Sequence, residues 1–131
     1  MAKKIILVDD SKTILETVGM ALDPLIRNGE VVYESHLNPR ELLWDLLEGR
    51  TDYDLLISDI NMPQMSGLEL IGLIKKEPRL KHKPILVLST ESSPEMKAKG
   101  RAAGVIGWMV KPFTDKRLLH AVRLVLGIRT A

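Results

Sequence analysis

The sequence predicts an α/β domain built on a parallel five-stranded sheet with helices on both faces. Two observations carry this. Five short apolar runs, rich in β-branched residues and lacking polar alternation, read as buried parallel strands. They alternate with five amphipathic stretches of helical period, and that order is the signature of a parallel sheet wrapped on both sides. The elements fill the 131 residues from end to end, without internal repeat, low-complexity tract or linker, so a single domain over 1–131 is expected.

Taken in order, Ile5 to Val8 is the first strand, ended by Asp9, Asp10 and Ser11. Ser11 suits a helix N-cap, and Ile14, Leu15, Val18, Leu22 and Leu25 share one face of the helix that follows. Pro24 predicts a kink or an end near Leu25, and Asn28-Gly29 a turn. Val31-Val32-Tyr33 is a short second strand. Asn38, with Pro39 at the first helical position, opens a helix that carries Leu42, Leu43, Leu46 and Leu47 inward and ends at Gly49. Tyr53 to Ser58 is the third strand. Ser66 and Gly67 begin a helix through Leu68, Ile71, Leu73 and Ile74, stopping before Pro78. Ile85 to Leu88 is the fourth strand, Ser93-Pro94-Glu95 starts a helix ending at Gly104, and Gly107 to Val110 is the fifth strand. Thr114 caps a last helix with Leu118, Leu119, Val122, Leu124, Val125 and Leu126.

Composition narrows the chemistry. The chain is 45% apolar and 27% charged, ordinary for a globular protein. A net charge of +2, with Lys and Arg scattered, gives no indication of nucleic-acid binding. The absence of cysteine excludes disulfides, thiolate metal sites and thiol catalysis, and fits a cytoplasmic protein. The apolar start, Ile5 to Val8, runs straight into two acids and is too short for a signal peptide. No window approaches a membrane span. His36, His82 and His120 show no ligand spacing, and the basic group Lys75, Lys76, Arg79, Lys81 and Lys83 suits a helix C-terminus.

In a parallel sheet all strand C-termini share one edge, where ligands bind in open α/β folds. Asp9 and Asp10 follow the first strand, Asp59 the third, Ser89 and Thr90 the fourth, and Lys111 with Pro112 the fifth. Any one of these reads as a cap or a surface residue. Together they place three carboxylates, a hydroxyl and an ammonium in one crevice. Clustered carboxylates repel one another unless a cation joins them. A hard divalent ion such as Mg²⁺ takes one or two carboxylates and keeps sites for phosphate oxygens. Such a set is equipped for phosphoryl transfer.

On these residues the chain resembles a response-regulator receiver domain of the stand-alone, CheY-like kind. The likeness rests on Asp9-Asp10, on Asp59 in Asp59-Ile60-Asn61-Met62-Pro63, on Met65-Ser66-Gly67, on Ser89, and on Lys111-Pro112-Phe113. The resemblance implies a flavodoxin-like strand order, 2-1-3-4-5. It implies that Asp59 accepts a phosphoryl group from a phosphohistidine on a sensor histidine kinase or a histidine phosphotransfer protein, in a chemotaxis-like or phosphorelay setting. Asp9, Asp10, Asp59 and the Asn61 carbonyl would hold Mg²⁺, Asp9 partly through water. Lys111 would pair with the phosphoryl oxygens, aimed by a cis proline at Pro112. Ser89 would be the switch hydroxyl, with Thr90 as runner-up. Trp108 occupies the aromatic switch position, where the family more often has tyrosine or phenylalanine. Asn61 and Glu91 stand where dephosphorylation is tuned. A downstream protein would dock on the fourth helix, fifth strand and fifth helix, where Lys97, Lys99 and Arg101 lie. The implied role is a phospho-accepting switch, not an enzyme. A haloacid-dehalogenase-type phosphatase is the alternative, but it needs a second acid where Asn61 stands. A degenerate receiver acting as a constitutive binding module would lack an acid, the nucleophile or the lysine, and all are present.

Overall fold

The computed structural model describes residues 1–129; the expected single-domain span of 1–131 reaches two residues beyond them. Five strands, β1 (Lys3–Val8), β2 (Val31–His36), β3 (Leu55–Ser58), β4 (Ile85–Ser89) and β5 (Gly107–Val110), alternate with α1 (Lys12–Arg27), α2 (Pro39–Leu47), α3 (Gly67–Lys75), α4 (Pro94–Ala103) and α5 (Asp115–Leu126). All pairings are parallel and the order is β2-β1-β3-β4-β5, as expected.

The period of two along each strand divides the apolar residues between two cores. Ile5, Leu7, Leu55, Ile57, Leu86 and Leu88 face α1 and α5, meeting Val18, Leu22, Leu25, Leu118 and Val122. Ile6, Val8, Leu56, Ile85 and Val87 face the other way, onto Leu42, Leu46, Leu70, Ile71 and Ile74 of α2 and α3. Each fully buried Leu or Ile side chain contributes about 1.5–3 kcal/mol. Both faces of the central strands are buried, and their runs are therefore continuously apolar.

Every helix opens on a side-chain cap. Ser11, Asn38, Ser66, Ser93 and Thr114 each accept from a backbone N–H of the first turn. Each such cap is worth about 1 kcal/mol.

Several local expectations needed correction. α1 runs through Pro24 to Arg27. The hydrogen bond that Pro24 deletes lies on the solvent side, where Pro24 and Met20 are exposed, while Leu25 stays buried and anchors the last turn. β2 extends three polar residues past Tyr33, because an edge strand pairs on one side and tolerates Glu34, Ser35 and His36. β3 begins at Leu55, not Tyr53; Tyr53 precedes the ladder yet is buried under α2 and α3. Leu47, Leu73 and Leu124 lie off the inward stripes of their helices and are exposed. Among the described residues no helix is long and apolar enough to cross a membrane.

Candidate functional site

Strand register fixes the height of each functional group. Val8 pairs with Ser58, so Asp9 and Asp59 leave the sheet at the same level, and the Asp59 N–H donates to the Val8 carbonyl at 3.0 Å. Ser89 pairs with Val110, and the Lys111 N–H donates to the Ser89 carbonyl at 2.9 Å. The lysine side chain then turns back across the sheet edge to the acids. Its Nζ lies 2.7 Å from Asp9 Oδ2 and 3.4 Å from Asp59 Oδ2. The Lys111–Pro112 bond is cis, as the resemblance implies.

Asp9, Asp10 and Asp59 each offer an oxygen within 4.8 Å of the others. Their surroundings differ. Asp9 is fully buried; Oδ1 accepts from the Ser11 N–H at 2.9 Å, and Oδ2 is taken by Lys111. Burial pushes the Asp9 carboxyl above its ordinary value of 3.8, overcoming the opposite pull of the Lys111 and Ser11 hydrogen bonds, and the Asp59 charge adds to the rise. Asp10 is exposed to solvent. Asp59 is nearly buried, with Oδ1 accepting from the Ile60 N–H at 2.7 Å and Oδ2 toward Lys111.

Three hard oxygen donors against one ammonium leave a deficit of positive charge. That donor set suits a hard divalent cation, which keeps several waters and binds through a few carboxylates.

Three of the remaining expected residues are hydrogen-bonded to a fourth, Glu91. Ser89 is fully buried and its Oγ accepts from the Glu91 N–H at 3.2 Å, whereas Thr90 is exposed. Asn61 is exposed, and its Nδ2 donates to Glu91 Oε2 at 3.4 Å. The half-buried Trp108 donates its Nε1–H to the Glu91 carbonyl at 2.8 Å. Asp9, Asp10, Asp59 and Lys111 thus form one cluster, and Ser89, Asn61 and Trp108 are joined to one another through Glu91. Lys97, Lys99 and Arg101 stand apart on α4.

Two glycines matter in ways their place in the sequence did not signal. A Cβ on Gly67 would collide with the Asp59 carbonyl oxygen, and the Gly67 N–H donates to the Ile60 carbonyl at 2.8 Å. The start of α3 is thereby pressed against the backbone that carries Asp59. Gly100 of α4 lies directly under the Trp108 ring. Only a residue without a side chain allows either approach.

Comparison with known proteins agrees with this geometry. The family model for the response regulator receiver domain matches residues 5–123. The chain is 34% identical to chemotaxis protein CheY1 of Helicobacter pylori over 124 residues, covering 95% of this chain and 97% of the relative. The structure of chemotaxis response regulator CheY4 of Vibrio cholerae superposes with a TM-score of 0.83 at 37% identity, covering 96% of this chain and all of the other. The receiver domain of a signal transduction histidine kinase from Syntrophus aciditrophicus does so with a TM-score of 0.82 at 30% identity, covering 99% and 95%. A chain with this strand order, this edge and these relatives belongs to the response regulator receiver family, as a CheY-like domain of two-component signalling.

Proposed function

We propose that Asp59 is the phosphoryl acceptor of this receiver and that the chain works as a switch, not as a turnover enzyme. The observation that supports this best is the position of Asp59. Its carboxylate is nearly buried at the sheet edge, one oxygen steadied by the Ile60 N–H and the other facing Lys111. An Asp59 oxygen attacks the phosphorus of a phosphohistidine. The P–N bond breaks, and its electron pair stays on the imidazole, which leaves neutral because its other ring nitrogen carries a proton. Lys111, whose ammonium already faces Asp59 at 3.4 Å, balances charge on the transferring oxygens. Asp9 holds Lys111 in place through their 2.7 Å pair.

Asp9, Asp10, Asp59 and the Asn61 carbonyl would hold Mg²⁺, Asp9 with its two oxygens already engaged and so partly through water. The bound ion supplies charge neutralisation for the phosphoryl oxygens. Ser89, fully buried, turns toward the phosphoryl group to donate its hydroxyl, and that movement of Oγ releases the Glu91 N–H. Asn61 and Glu91, bonded to each other, govern the approach of water and hence the lifetime of the phosphoryl group. Asn61 also stands where a phosphatase needs its second acid, and it cannot transfer a proton.

The donor is a sensor histidine kinase or a histidine phosphotransfer protein, and residues 1–131 act as one cytoplasmic receiver unit. The output contact is the surface of α4, β5 and α5, where Lys97, Lys99 and Arg101 are presented. Mass spectrometry after incubation with acetyl phosphate and Mg²⁺ tests the assignment. The wild-type chain gains one phosphoryl group and Asp59→Asn gains none; equal gain by both would contradict it.

A further inference from the structure

We infer that Gly100 is a positioning residue for Trp108, and that the seated indole is a fixed strut joining the β4–α4 loop to α4. This rests on the switch reading above. The ring is held at two places. Its Nε1–H donates to the Glu91 carbonyl at 2.8 Å. Its Cε3 and Cζ3 lie only 2.9 Å from where a Cβ of Gly100 would stand, so the ring fills the space that a side chain would take. Val105 Cγ2 closes the same seat at 3.3 Å, and the indole packs on the core formed with α2 and α3.

Glycine in the body of a helix costs stability relative to alanine, and Gly100 is the one glycine of α4 between its caps. Its presence is explained by the ring that lies on it. A swing of Trp108 outward would break the Glu91 bond and leave an unfilled groove over the Gly100 backbone. Close-packed interiors resist such voids. The ring is also tied to the switch. Glu91 carries the carbonyl that receives the indole and the N–H that donates to Ser89 Oγ at 3.2 Å. When Ser89 turns to the phosphoryl group, Glu91 is freed on one side and remains bound to Trp108 on the other. Movement of the loop therefore passes through a rigid ring into α4, and the signal leaves as a displacement of α4 with little change in the exposure of Trp108.

The test uses Trp44→Phe, which leaves Trp108 as the single tryptophan of the chain. Acrylamide quenching of Trp108 and amide hydrogen exchange along α4 are compared with and without beryllofluoride and Mg²⁺. The strut predicts quenching that changes less than about twofold, since the ring stays packed. It predicts α4 exchange that changes by about tenfold or more, as a local opening equilibrium moves. A several-fold change in quenching with α4 exchange unaltered overturns it.

A double-mutant cycle decides the positioning claim without any phosphoryl group. Gly100→Ala lowers the melting temperature and raises Trp108 quenching when the indole is present. In the Trp108→Leu background that loss is relieved or reversed, because the clash with the ring is gone and the helix preference for alanine is set only against the Val105 contact at 3.3 Å. An equal loss in both backgrounds overturns the claim. Phosphoryl uptake by the Trp44→Phe chain, read by mass, separates the two levels: no uptake defeats the switch reading, whereas uptake with α4 exchange unchanged defeats the strut alone.

Discussion

Two clusters of charge lie on this sheet, and they are balanced in opposite ways. Around Glu34, on the edge strand, one carboxylate is surrounded by donors. Lys4 Nζ is 2.6 Å away, His36 Nε2 is 2.6 Å away, and the Thr51 hydroxyl donates at 3.0 Å. Burial opposes charge on Glu34, but hydrogen bonds from Lys4, His36 and Thr51 outweigh it and hold the carboxyl at about 2. At the C-terminal edge, three carboxylates cluster and two of them, Asp9 and Asp59, share the ammonium of Lys111, while burial pushes Asp9 upward. A cluster that supplies its own counter-charge serves the fold. One that lacks counter-charge has a use for an ion or a ligand that brings it. Nearness of acids alone would not separate the two; the balance of donors does.

The largest effect expected from breaking this contrast comes at Lys111. Lys111→Met leaves Asp9 buried without its partner and destabilises the metal-free chain by about 3 kcal/mol at neutral pH. Mg²⁺ restores much of that loss, because the ion replaces the missing positive charge. Denaturant unfolding with EDTA and with Mg²⁺ measures both, and a loss unaffected by Mg²⁺ would count against a shared electrostatic role.

Glu34→Gln sharpens the other side of the contrast. The Glu34 carboxyl titrates lower in the folded chain than its ordinary value of 4.5. Its stabilisation is therefore complete above about pH 4.5 and is lost as the pH falls through about 2. The group is partly exposed, and solvent screening reduces the effect to about 1–2 kcal/mol at pH 7. Urea unfolding of wild type and variant should converge toward pH 2, with no change in the response to Mg²⁺ at any pH. Asp9 has the reverse sign. Its folded-state value is raised, so the folded chain holds that proton to higher pH than the unfolded chain, and Asp9 subtracts stability as the pH rises above about 4.

Ser89→Ala is expected to have the smallest effect on stability. It leaves the half-buried Glu91 N–H without its acceptor and costs about 1 kcal/mol. The same variant still takes a phosphoryl group on Asp59 but loses the change in α4 exchange on activation. Thr90→Ala, at an exposed position, changes neither.

Much of this was legible in the sequence, for a physical reason. Strands buried on both faces must be continuously apolar, and a parallel sheet delivers every strand C-terminus to one edge. Asp9, Asp10, Asp59, Ser89 and Lys111 could thus be brought together from their places in the chain. Elements governed by a single exposed face were harder. The polar end of β2 is held by pairing along one edge, and Leu73 and Leu124 carry an apolar signal although they face solvent. Least legible were contacts that run through the backbone. The pressure of Gly67 on the Asp59 carbonyl, the seat of Trp108 on Gly100, and the indole bond to the Glu91 carbonyl involve no side-chain pair whose spacing would announce it.

The central claim is that the edge cluster is short of positive charge and takes a hard divalent ion, whereas the Glu34 cluster does not. Thermal unfolding across a Mg²⁺ titration tests it most directly, since an ion bound by the folded chain raises stability with concentration. Wild type and Glu34→Gln should show the same saturable gain, about 2.7 kcal/mol at one hundred times the dissociation constant. Asp10→Asn should shift that curve to at least about tenfold higher Mg²⁺, as one charged ligand is lost. A gain that survives Asp10→Asn unchanged, or no gain in the wild-type chain, would contradict the claim.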